Sequence, residues 1–79
     1  MNKWDAIARL VALHGEACAA LALLRCGVGG WGAGWLDEVA ARQRDLAAML
    51  LELARVRGAP RSLRTAARRH VEAVGQMLA

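Results

Sequence analysis

His14 and Cys18 stand four residues apart, one helical turn, a spacing at which two side chains can share a metal ion. His70 is the one other histidine, and in an up-down-up helical arrangement it reaches the same height as His14. These three are the candidate metal ligands. Each also falls on a seam position, where cysteine serves as a small hydrophobe and histidine as a hydrogen-bonded core residue. The expectation is therefore packing, with no metal and no cofactor.

Gly27-x-Gly29-x-x-Gly32 has the letters of a dinucleotide fingerprint. That motif works where glycines join a strand to a helix whose amino terminus meets pyrophosphate. Here a helix-like segment precedes the glycines, and no strand pattern occurs. Asp37 and Glu38 are expected in the first turn that follows, where two carboxylates would repel phosphate. Cys26, beside Arg25 at a helix carboxyl end, lacks the dipole that activates a thiolate. Ser62 and Thr65 have no His–acid partner at a useful spacing. The chain is read as non-enzymatic.

Binding residues stand out more than catalytic ones. The run GVGGWGAGW carries Trp31 and Trp35, and tryptophan is enriched at the centres of protein interfaces. Trp31, flanked by Gly30 and Gly32, is the foremost candidate anchor for a partner. Charge is unevenly spread: residues 1–54 carry five basic and six acidic groups, whereas residues 55–79 carry six arginines against Glu72. Arg55, Arg57, Arg61, Arg64, Arg68 and Arg69 thus form a basic edge, which attracts phosphate or an acidic protein surface. Gly58 before a basic helix echoes a helix-turn-helix, but the preceding helix is too long for that module.

The elements that must position these residues are helices. Asn2 caps a first helix over 3–25, whose seam reads Trp4, Ile7, Val11, His14, Cys18 and Leu21 at alternating spacings of three and four. Leu10, Leu13, Ala17 and Leu24 widen it. A helix apolar nearly all round is buried on several sides. Two neighbours within the chain cannot cover it, so Ile7, Val11, Cys18 and Leu21 are expected to self-associate. A glycine-rich loop over 27–34 leads to a second helix, 35–57. Its core face is Leu36, Val39, Ala40, Gln43, Leu46, Ala47, Leu50, Leu53 and Ala54, with Glu38–Arg42 and Glu52–Arg55 pairs outside. Met49, Leu51 and Val56 fall off that face and join the tryptophans as partner-binding candidates. Gly58 and Pro60 mark the break before a third helix, 60–78, with Leu63, Ala67, His70, Val74 and Met77 inward. The predicted fold is all-α, a single domain over 1–79: an antiparallel helical hairpin plus a third helix, a small three-helix bundle that self-associates.

Composition points the same way. Eighteen of the 79 residues are alanine and only twenty-five are Leu, Val, Ile, Met or Trp, a thin core for a chain this short. The longest uncharged apolar run, Ala17 to Leu24, is eight residues, against ~20 for a membrane span; no membrane contact is expected. Cys18 and Cys26 on one helix lie ~12 Å apart, too far for a bridge, which suits a reducing cytoplasm. Ten arginines to one lysine suggest a GC-rich bacterial or phage genome. The expected function is a small protein–protein interaction module, an adaptor, inhibitor or chaperone-like subunit acting as an oligomer. The alternative is a nucleic-acid-binding helical protein using the arginine edge.

Overall fold

In a computed structural model, which describes residues 2–27 and 33–79, three helices pack on one another: α1 (Lys3–Gly27), α2 (Ala33–Ala54) and α3 (Arg61–Met77). Asn2 caps α1 as expected, its Oδ1 accepting the Asp5 N–H at 2.8 Å. α1 then continues through Gly27, and α2 begins at Ala33 rather than Trp35. Val28 to Gly32, Trp31 included, lie outside the described residues.

α2 ends three residues earlier than predicted. Arg55, Val56 and Ala59 donate to the carbonyls three residues back, so the chain tightens into short turns instead of continuing the helix. Gly58 sits at φ 94°, the left-handed region a side chain disfavours. Pro60 caps α3, with its carbonyl accepting from Leu63 and Arg64.

The helices run up-down-up, and the core divides into two apolar layers. Val11, Leu50, Ala54, Leu63 and Ala67 form one, with Trp4, Ile7 and Leu51 packed against it. Cys18, Ala40, Ala47, Val74 and Leu78 form the other, joined by Leu21, Ala22 and Val71. Between them lies a polar layer built on His14 and His70.

Alanine sets the helix spacing. Ala40, Ala47 and Ala54 recur every seventh residue on α2 and are wholly buried, as is Ala67 on α3. Small side chains let helix axes approach closely, and that approach leaves no room for the flanking leucines. Leu46 and Leu53, expected in the core, are therefore exposed, as are Leu10, Leu13 and Leu24 on α1. Met77 is also exposed. Leu78, which caps α3 with its N–H donating to the Val74 carbonyl, lies one turn beyond Val74 and is fully buried in place of Met77.

Candidate functional site

The polar layer brings together all three residues expected to converge. His14 Nε2 lies 3.0 Å from Gln43 Oε1, and His14 Nδ1 lies 2.7 Å from His70 Nε2. With the Gln43 oxygen accepting, His14 carries its proton on Nε2, and its Nδ1 accepts the His70 Nε2–H. The rings meet edge to face with centroids 5.0 Å apart. Cys18 Sγ stands 3.5 Å from His14 Nε2. One hydrogen-bonded chain thus ties α1 to both α2 and α3, with Gln43, the one polar residue on the predicted core face of α2, taking part through its Oε1.

Burial, and secondarily the His14 charge, push the His70 pKa below 6.5. Burial raises the Cys18 thiol, which keeps it protonated and unreactive. Among the described residues no group of three His, Cys, Asp or Glu side chains is arranged to hold a metal ion. Both cysteines are free.

The largest departure from the sequence reading concerns α1. Val11 and Cys18, expected at a self-association surface, are buried in the chain's own core, with Ile7 and Leu21 packed against it. A second row faces outward instead: Ala6, Leu10, Leu13, Ala17, Ala20 and Leu24, again at alternating spacings of four and three. α2 carries a matching exposed row in Leu46, Met49 and Leu53, continued by Val56 at one end and, beyond the exposed Arg42, by Trp35 at the other.

These rows share one side of the bundle. On α1 the flank against α3 holds Gly15, whose Cβ position is 3.6 Å from the His70 ring. At 100° per residue the exposed row lies on the opposite flank. On α2 the flank against α3 holds Arg44, which donates to the Leu78 carbonyl, and its exposed row is again on the far flank. Both rows border the α1–α2 groove on the face turned away from α3.

Of the other partner candidates, Trp35 (60% exposed), Met49 (63%) and Val56 (52%) are open to solvent. Leu51 is not, because it packs against the core layer around Val11. The six arginines of the basic edge are all exposed. Arg61, Arg64 and Arg68 line one polar depression with Thr65, while Arg55 is paired with Glu52 at 3.5 Å, as its spacing predicts. The Glu38–Arg42 pair does not form among the described residues. Asp37, displaced into the second turn by the earlier start of α2, instead binds Arg25 at 2.7 Å and fastens α1 to α2.

The chain matches no family model, no curated protein and no solved structure.

α1 also corrects the reading of the chain as having no membrane-length segment. It is long and apolar enough to cross a membrane by length and composition, with a mean hydropathy of 1.6 over its best window. Counting only the uncharged run from Ala17 to Leu24 hides this, since Arg9 and Glu16 are isolated charges in an apolar helix. Only 11% of that window is buried within the bundle, so the row through Leu10, Leu13 and Leu24 leaves part of its apolar surface facing out.

Proposed function

We propose that the chain is a small, non-enzymatic, cytoplasmic interaction module that acts as an oligomer and docks protein through the α1–α2 face. Adaptor, inhibitor and chaperone-like subunits all fit that description. The observation that carries it is the pair of exposed apolar rows on one face of the bundle. A soluble monomer rarely leaves a contiguous patch of this kind open, and such patches mark interaction sites. The polar rim disfavours a membrane as the occupant. Arg9 and Arg42 are outnumbered there by Glu16, Glu38, Asp45 and Glu52, and an acidic rim is repelled by anionic lipid. Non-enzymatic action is supported by the histidines and Cys18 being occupied with one another inside the core.

The test is a photo-crosslinking amino acid placed in the host cell at Leu13 or Met49, with Arg64 as the comparison site. Protein adducts from the two face positions are expected, whether to another protein or to a second copy. Adducts at neither face position would overturn the reading.

A second reading, nucleic-acid binding, rests on the Arg61–Arg64–Arg68 depression. It requires binding that weakens steeply with salt, the log–log slope falling by about one for each phosphate-contacting arginine replaced by alanine. No duplex or single-strand binding at low salt refutes it.

A further inference from the structure

The arginine edge is not uniform. Arg61, Arg64, Thr65 and Arg68 share one sector of α3 about 100° wide, turned away from the buried Leu63, Ala67, His70 and Val74. Together these four line a single depression, in which Arg55, Arg57 and Arg69 take no part. Three guanidiniums and one hydroxyl thus meet over about 10 Å of helix.

The chain supplies no countercharge there. Among the described residues the ion pairs are Arg25–Asp37 and Arg55–Glu52. Glu72, one turn beyond Arg68, pairs with neither Arg68 nor Arg69. Like charges one turn apart destabilise a helix, and cations are disfavoured in its amino-terminal turns. Arg61 and Arg64 incur both penalties, and Arg64 and Arg68 repel across a further turn. An anion seated among the three relieves that repulsion. A carboxylate brings one charge, whereas a phosphoryl group brings about −1.5 to −2 at pH 7 with three acceptor oxygens. Two joined phosphoryl groups therefore roughly balance three guanidiniums, whose forked N–H donors suit phosphate oxygens. The Thr65 hydroxyl adds a further donor.

We infer that this depression is a binding site for a diphosphate group, carried by the inorganic ion or by a nucleotide. The inference goes beyond both functional readings. It needs neither a partner on the α1–α2 face nor a nucleic-acid strand along the whole edge.

Calorimetric titration of the full chain with inorganic pyrophosphate, in metal-free buffer at low salt, tests it. One ion is expected to bind per chain, at least about tenfold more tightly than orthophosphate or citrate, a carboxylate of similar charge. Arg64→Gln/Arg68→Gln is expected to weaken binding at least about thirtyfold. The same variant should raise the melting temperature of the free chain, because the repulsion is gone. Arg57→Gln/Arg69→Gln is expected to change binding less than about threefold. Adenosine diphosphate should bind as pyrophosphate does, since no aromatic or aliphatic side chain lines the depression to hold a base. Tighter binding of the nucleotide would assign it as the source and still uphold the diphosphate site.

No saturable heat with pyrophosphate overturns the inference, as does binding untouched by Arg64→Gln/Arg68→Gln. So does citrate bound equally well, or a loss shared equally by Arg57→Gln/Arg69→Gln, since the edge would then attract anions without a site. If pyrophosphate fails while an oligonucleotide still binds with a steep salt dependence, the nucleic-acid reading survives and only the diphosphate site is lost.

Discussion

Replacing one histidine of the buried pair should harm the bundle more than replacing both. His14 and His70 are each 8% exposed and hold one shared hydrogen bond of 2.7 Å. His70→Leu leaves His14 Nδ1 in the core with no partner but the weak Cys18 thiol. A buried polar group stranded in this way costs about 1–3 kcal/mol. His14→Leu strands His70 Nε2 to the same degree; half-buried Gln43 can turn to water and adds little. His14→Leu/His70→Leu removes both partners and sets leucines of similar volume between the two apolar layers, so its stability should return to near the wild-type value. The coupling energy of this cycle is therefore expected at about 1–3 kcal/mol. In a chain this short each kcal/mol moves the melting temperature by roughly 4–8 °C.

Urea denaturation followed by helical circular dichroism at fixed protein concentration measures all four corners, and pH gives a second arm. Folding lowers the His70 pKa below 6.5, so beneath that pH the unfolded chain binds a proton that the folded one resists. Stability should be level above 6.5 and fall as the pH drops from 6.5 toward the lowered native value. The doubly substituted chain should lack this histidine-linked fall. Additive single substitutions, or a wild type as stable at pH 5 as at pH 7.5, would refute the reasoning.

Two further substitutions probe the packing. Gly15→Ala adds a methyl at ordinary contact distance, 3.6 Å from the His70 ring, in a helix interior of ordinary backbone conformation. It should raise stability by about 0.4–1 kcal/mol, and a lower melting temperature would show that His70 has no room to give. Ala47→Leu forces bulk into the wholly buried alanine row of α2 and should cost about 1–3 kcal/mol through overpacking, read from the same denaturation curves. A neutral result would mean that the helices are not held at alanine spacing.

The three helices were legible in the sequence because caps and breakers are local chemistry. Asn2, Gly58 and Pro60 mark their ends through groups only a few residues away. The seam of α1 was legible as a row, as was the meeting of His14 with His70. What the pattern could not supply was phase. α1 has two apolar rows of equal regularity, and nothing in a single helix says which one its neighbours will cover. Hydropathy misleads further on α2, where leucine outranks alanine. Close packing ranks them the other way, so Ala47 is buried while Leu46 and Leu53 are out. Gly34 reads as loop, yet its backbone is helical, and that shift carried Asp37 from a terminal turn into reach of Arg25.

The alanine row also bears on how the protein answers to temperature. Unfolding raises the heat capacity chiefly by wetting apolar area, and a typical chain of this length would show an increment of roughly 1 kcal/mol/K. A core spaced by Ala40, Ala47, Ala54 and Ala67 has less such area to expose, so its increment should be smaller and its stability curve broad and shallow. A shallow curve means that no temperature suits the fold especially well, and none is abruptly fatal to it.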